Sequence, residues 1–391
     1  MFGGRSWSVL LAASRPGGSD RDRGCRRPPG TSGGRAGCNE MEELMRKNIL
    51  IPVPMIDPSG PELLMKEADV IDGTELGEQD APETLARIQG IYSQPGIPAH
   101  FACTNAEEMA RIPNLEVIGV SASGFDWIDL DAATERAVAV VYSAGAQYSA
   151  VAEHGIGLML SLAKRIAVSD RALRAAPFPK LQHFTGDVWP GFPEEIDGKT
   201  LGVLGFGFVG RELAHKCRTA FRMQVLAFDP YYDPLDAGRQ GVELYTRRAQ
   251  LHEMLGRCDF VVLTLPLSEE THHIVGRPEL AAMKSSAYLI NMSRGGTIDE
   301  PALVAGLQAG EIAGAGLDVF DPEPARQDHP LFQMENTVVT PHIGGWVREA
   351  MPRLVALTAD GMLAALRGER PNRLANPEVW PTFLERRAVS G

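Results

Sequence analysis

From residue 48 onward the chain alternates short apolar runs with longer stretches whose apolar positions recur at helical spacing. Asn48–Met55 (NILIPVPM), Leu115–Val120 (LEVIGV) and Ala137–Tyr142 (AVAVVY) predict strands, and Ile128–Arg136 carries a helical pattern between the last two. Ser149–Arg165 predicts a long, mostly apolar helix whose Ala/Gly-rich composition suits close packing between elements. Residues 175–199, rich in Pro, Gly and aromatics, predict an exposed connection. The alternation then becomes more regular. Strands are predicted at Leu201–Leu204, Gln224–Phe228, Asp259–Leu265, Ala287–Met292, Ala315–Val319 and Thr337–Thr340, with helices over 209–221, 246–256, 278–284 and 300–309. A last long helix, Val347–Leu366, follows the final strand. Strands separated by helices imply parallel sheets joined by crossovers. The expectation is an α/β fold of two doubly wound parallel-sheet domains. Residues 45–147 with 347–380 form one discontinuous domain, 148–346 are inserted as the other, and 1–44 are a disordered N-terminal extension.

Composition narrows the class. The chain has 391 residues, 38 Lys+Arg against 50 Asp+Glu, a net charge of −12 and 44% hydrophobic residues. Such acidity argues against a general nucleic-acid or anionic-membrane binder, because no broad basic field displaces counterions. No apolar run approaches the ~20 residues of a bilayer span. Cysteines at 25, 38, 103, 217 and 258 make neither a disulfide framework nor a CxxC pair, which predicts packing residues in a reduced, cytoplasmic protein. Residues 1–40 depart from this average, with seven Arg, nine Gly and three acids. An Arg-rich, acid-poor start could be a transit peptide, but the reading taken is an extension ahead of the folded protein, as from an early start codon, with Met41 and Met45 as alternative starts. Without that segment the net charge is −12 − (7 − 3), or −16.

The first chemical motif is Gly205-Phe206-Gly207-Phe208-Val209-Gly210, which follows a predicted strand and opens a predicted helix. The first Gly permits a tight turn, the second admits a pyrophosphate, and the third lets helix and strand approach. The helix N-terminus then offers N–H groups and partial positive charge to the diphosphate. Nineteen residues beyond Gly210, Asp229 ends the next strand, where its carboxylate would accept bonds from ribose hydroxyls and repel a 2′-phosphate. The cofactor expected is NAD.

Several further motifs stand in order: LEVIGVSASGFDWIDLDAAT at 115–134, AVAEHGIGLMLSLAKR at 150–165, AYLINMSRGGTIDE at 287–300, GAGLDVFDPEP at 314–324 and TPHIGG at 340–345. With the glycine loop they resemble the D-isomer-specific 2-hydroxyacid dehydrogenase family over roughly 48–370. The resemblance implies a Rossmann NAD-binding domain inserted in a flavodoxin-like substrate domain, an active site in the cleft between them, and a homodimer. It places the catalytic residues on Arg294, Glu323 and His342. Their chemistry is coherent. A guanidinium fork holds the carboxylate of a 2-hydroxy or 2-oxo acid and polarises the reacting carbonyl. An imidazole exchanges the hydroxyl proton, and a neighbouring carboxylate orients the ring and favours the imidazolium. No metal is required.

Secondary contacts also follow from the resemblance. Phe208 and Val209 lie inside the diphosphate loop, Leu265 and Pro266 line the adenine side, and Met292 and Ser293 precede the catalytic Arg. Asp318 matches an acid near the nicotinamide carboxamide, and Gly344 belongs to the same cofactor surface. Ser123 and Gly124 match a loop whose backbone N–H groups face substrate carboxylate and cofactor. His272 and His273 are read as solvated loop residues whose side chains diverge. Departures from the family pattern bear on specificity. Phe208-Val209 replaces the common Arg-Ile and removes a cationic diphosphate contact, Gln147 replaces a common Asn, Trp346 stands where a small residue is usual, and Arg222 occupies a usual C-cap glycine. A Trp beside the catalytic His either narrows the substrate pocket or packs a domain interface. The expected activity is interconversion of a D-2-hydroxy acid and its 2-oxo acid. Glu323 argues against a formate dehydrogenase, whose pattern pairs the His with Gln. The alternative from another class is a NAD(H)-sensing, corepressor-like binding protein on the same fold.

Overall fold

The computed structural model describes residues 46–74, 76, 81–95, 103–175 and 192–390. The extension predicted over 1–44, and most of the predicted connection at 175–199, lie outside the described residues. The chain divides into two compact units, one running to Ser143 and resuming at Val355, the other Ala144–Leu354.

In the first unit, β1 (Lys47–Ile51), β2 (Ala68–Asp72), β3 (Gly90–Ser93), β4 (Val117–Val120) and β5 (Ala139–Tyr142) form one sheet. All pairings are parallel, in the order β2-β1-β3-β4-β5. This is the flavodoxin-like order. β1 stops at Ile51, short of the predicted Met55, because Pro52 and Pro54 have no N–H for the ladder. β2 and β3 escape sequence prediction. The first is a half-exposed edge strand, and the second has only four residues and begins with Gly. One face of the sheet packs under Val355, Ala359 and Met362 of the helix Met351–Arg367, the other under Met109, Ile128 and Ala133.

The second unit contains β6 (Thr200–Leu204), β7 (Gln224–Phe228), β8 (Glu243–Tyr245), β9 (Phe260–Leu263), β10 (Tyr288–Asn291), β11 (Gly314–Leu317) and β12 (Thr337–Val339). Their order is β12-β11-β10-β9-β6-β7-β8, the Rossmann order extended by one strand. The central strands are buried along their whole length, as expected where helices cover both faces. All six predicted strands are present. β8, a three-residue edge strand, carries too little pattern to predict. The helices Ile166–Ala175 and Trp380–Ser390 were also not anticipated, the first because it has no buried face. The helix predicted from Val347 begins at Met351. The direction of crossover reverses between β6 and β9, so their C-terminal ends diverge into a crevice of the kind where such sheets bind ligands.

Candidate active site

The glycine loop leaves β6 at that reversal point. Gly205 has φ +93°, and a side chain there would overlap the backbone of Leu265 at 2.8–2.9 Å. A Cβ on Gly210 would lie 2.1 Å from the Gly205 carbonyl oxygen, so the third glycine is fixed by helix–strand approach. Gly207 differs, because a Cβ there meets nothing within 4 Å. It caps the 14-residue helix Phe208–Phe221 without any side-chain hydrogen bond, so no capping side chain takes up the first-turn N–H groups. Asp229, at the end of β7, accepts from Phe206 N–H (2.8 Å) through one carboxylate oxygen and from Tyr231 N–H (2.9 Å) through the other. Leu265 and Pro266 leave the adjoining β9, with Thr264 Oγ1 donating to the Gly205 carbonyl at 2.7 Å. Open space at Gly207 and uncapped N–H donors, with a fixed carboxylate beside them, fit a nicotinamide dinucleotide.

Phe208 is 49% exposed at the helix start, and the Arg211 guanidinium lies 5.5 Å from the ring centroids of both Phe208 and Tyr232. A cation thus stands near the position where the Phe208-Val209 pair had removed one. At the other end of this helix Arg222 takes the left-handed conformation (φ +51°), and its Nε donates to Asp197 at 3.0 Å.

Three neighbouring strands end in register, with Asn291 beside Leu317 and Leu317 beside Val339. Just beyond these ends stand Arg294, Asp318 and His342. Buried Asn291 shapes the turn that presents Arg294. Its Oδ1 accepts from the N–H and Oγ of Ser293 at 3.0 and 2.8 Å, and its Nδ2 donates to the Arg294 carbonyl at 2.9 Å. Met292 and Ser293 are both buried. Past β11, Asp321 N–H and His329 donate to Glu300, on the helix ahead of that strand, at 2.9 and 3.0 Å, bracing the segment that leads to Glu323.

His342 sits at φ +54°, and its Nδ1 lies 2.8 Å from Glu323 Oε1. With a carboxylate as acceptor, Nδ1 carries the hydrogen and Nε2 is the nitrogen left for proton exchange. Asp318 holds the His342 segment by several bonds. Its carbonyl accepts from His342 N–H at 2.7 Å, Oδ1 from Ile343 N–H at 3.0 Å, and Oδ2 from Gly344 N–H at 2.8 Å. Thr340 Oγ1 also donates to Oδ1 at 2.5 Å. Burial pushes the Asp318 carboxyl up, but the bonds from His154, Thr340, Gly344 and Ile343 outweigh it and hold the group below the usual carboxylate range.

Ser123 and Gly124 lie in the first unit, on the loop leaving β4, where Ser143 N–H and Oγ hold the Ala122 carbonyl at 3.0 and 3.2 Å. Trp346 is 55% exposed, with its N–H on the Ile343 carbonyl. Gln147 has a clear partner that the sequence did not reveal: its Nε2 donates to the Gly345 carbonyl at 3.0 Å. His272 and His273 are exposed as expected, but their rings stack at 3.9 Å instead of diverging, with His273 in the left-handed conformation (φ +50°). Cys103, Cys217 and Cys258 are buried packing residues whose thiols burial pushes up to about 12. Cys25 and Cys38 lie outside the described residues. Among the described residues, no helix is long and apolar enough to cross a membrane.

The residues that sequence reasoning does not single out are Asn291, Glu300, His329, Thr340 and His154, which are joined by hydrogen bonds to the segments around Arg294, Glu323 and His342 or to one another. Asn291, Glu300, Thr340 and His154 stand inside the family-like motifs, which is the available signal.

The family model described as D-isomer specific 2-hydroxyacid dehydrogenase, NAD binding domain, matches residues 156–344. A glyoxylate/hydroxypyruvate reductase B of Yersinia pestis (strain Pestoides F) is 35% identical over 304 residues, 78% of this chain and 90% of the relative. The crystal structure of a glyoxylate reductase from Paecilomyes thermophila is similar with a TM-score of 0.74 and 27% identity, covering 85% of this chain and 99% of that one. The NADPH-dependent glyoxylate/hydroxypyruvate reductase of Sinorhizobium meliloti, solved with citrate, has a TM-score of 0.72 and 26% identity, covering 85% and 99%.

Proposed function

We propose, for a chain that belongs to the D-isomer-specific 2-hydroxyacid dehydrogenase family and is an oxidoreductase of 2-hydroxy acids, that it reduces small 2-oxo acids with NADH. The observation that carries this reading is the 2.8 Å Glu323–His342 pair at the strand ends that also present Arg294. When bound, the nicotinamide supplies or accepts the hydride. Arg294 holds the substrate carboxylate and polarises the carbonyl oxygen. His342 Nε2 delivers a proton to that oxygen in reduction and removes it in oxidation, while Glu323 keeps Nδ1 protonated and the ring oriented. Ser123 and Gly124 are assigned to carboxylate binding on the family resemblance alone.

The preference for NAD rests on Asp229. Its two oxygens are fixed by backbone donors, so a 2′-phosphate would meet a carboxylate that has little freedom to turn away. The relatives named for glyoxylate and hydroxypyruvate support a substrate with a short side chain. The corepressor-like alternative draws no support from these relatives. We place the protein in the cytoplasm as a homodimer without nucleic-acid or membrane partners, a reading supported by its family and its net charge of −12. The test is oxidation of NADH and of NADPH against glyoxylate, hydroxypyruvate and bulkier 2-oxo acids. Turnover with NADH on the short acids is expected. Tight NADH binding without turnover on any of them contradicts the reading.

A further inference from the structure

The helix Tyr148–Ala163 is largely apolar, yet it carries a histidine that ends in a chain of polar contacts. His154 Nε2 lies 2.9 Å from Thr340 Oγ1 and 3.4 Å from Asp318 Oδ1. The direction of these bonds is determined by chemistry. Asp318, held as a carboxylate, only accepts, so the single hydroxyl hydrogen of Thr340 goes to Oδ1 at 2.5 Å. Thr340 Oγ1 must therefore accept from His154, and Nε2 carries the hydrogen. The same Asp318 then receives Ile343 and Gly344 N–H through its carboxylate and His342 N–H through its carbonyl.

We propose that His154 is a positioning residue for His342, acting through Thr340 and Asp318 on the backbone of residues 342–344. Three features make the device effective. His342 holds a left-handed conformation, which a histidine keeps only under constraint from its surroundings. The Asp318 side chain is 3% exposed, so water does not substitute for a missing donor. Gly344 closes the space, since a Cβ there would fall 2.8 Å from Met292, 2.9 Å from Asp318 and 3.4 Å from the His154 ring. Removing the imidazole donor takes away the hydrogen bond that Thr340 Oγ1 accepts and loosens the turn that sets Nε2 against a substrate oxygen. The inference rests on the reading of His342 as the proton donor, but its structural half stands by itself.

The experiment therefore has two readouts on the full chain: amide hydrogen exchange of the peptide spanning residues 341–346, and steady-state kinetics with glyoxylate and NADH. His154→Leu should speed exchange about tenfold and lower kcat by about tenfold or more. KM for NADH, and NADH affinity read by fluorescence, should change less than kcat, because Asp318 and Gly344 border the expected cofactor surface while His342 carries the proton. His154→Gln, which keeps an amide N–H near the Nε2 position, should restore most of both. Thr340→Val interrupts the chain at its middle link and should reproduce the leucine variant, which covers the case where that variant folds poorly. Unchanged exchange in both His154→Leu and Thr340→Val overturns the proposal, as does a glutamine variant no better than leucine. If exchange responds while wild type reduces no 2-oxo acid, the proposed activity fails and the positioning device stands.

Discussion

His342 and Glu323 meet through a 2.8 Å Nδ1–Oε1 contact although they leave the sheet from different strands, β12 and β11. The contact is made by two braced segments. Asp318 holds the histidine backbone, and Glu300 holds the Asp321 N–H just ahead of the glutamate. Neither side chain reaches its partner by length alone, so the geometry depends on the loops.

Glu323→Gln keeps an acceptor for Nδ1 but removes the charge that stabilises the imidazolium. Its kcat for oxo-acid reduction should fall about tenfold to hundredfold, with NADH affinity unchanged. Glu323→Ala should fall further, because the ring then loses its orientation as well. Equal activity of Gln and Glu would show that orientation alone matters.

Gly207 and Gly210 should separate binding from folding. At Gly207 an added methyl enters open space. Gly207→Ala should therefore shift stability by less than about 0.5 kcal/mol while weakening NADH binding by about tenfold, or 1.4 kcal/mol. At Gly210 the methyl meets the Gly205 carbonyl oxygen at 2.1 Å. Gly210→Ala should cost about 1–3 kcal/mol in urea unfolding. If Gly207→Ala binds NADH as wild type does, the diphosphate is not held over that residue.

Cofactor choice should turn on Asp229. Asp229→Ser removes a carboxylate held by two backbone donors, and the ratio of kcat/KM for NADPH to that for NADH should rise at least about tenfold. A ratio that does not move places the discrimination elsewhere.

Asp318 gives a pH prediction. Its carboxyl is depressed in the folded chain by the bonds from His154, Thr340, Gly344 and Ile343, which outweigh burial. A group of this kind contributes stability that is complete above the unfolded value of about 3.9 and is lost as pH falls through the lower folded value. Asp318→Asn should therefore be less stable than wild type at neutral pH by about 2 kcal/mol. That gap in urea midpoint should narrow below pH ~4. A gap that stays constant into acid would mean that packing, not the charge, accounts for the loss.

Much of the candidate site was legible in the sequence, partly because its motifs resemble those of the family and partly because its residues lie close to the ends of predicted elements. The three glycines and the first helical turn are contiguous, Asp229 follows at the fixed length of one helix and one strand, and Arg294, Glu323 and His342 each lie within a few residues of a strand end. The supporting residues were hidden for the opposite reason. His154 stands 186 positions from Thr340, in a helix that reads as apolar core. Glu300 and His329 are 29 apart and look like ordinary surface polar residues until the fold buries them together. Among the elements, the six apolar strands of the second unit were plain, while ADVID at β2 and ELY at β8 were not, because edge strands are half exposed and lose the apolar signature.

The central claim is that His342 exchanges the proton while Arg294 holds the acid, and NADH oxidation at saturating glyoxylate tests it most directly. Wild type should turn over. His342→Ala should lose about 10²–10⁴-fold in kcat with wild-type NADH affinity, and Arg294→Ala should lose activity chiefly through KM for the oxo acid. A His342→Ala enzyme that keeps wild-type kcat would contradict the account.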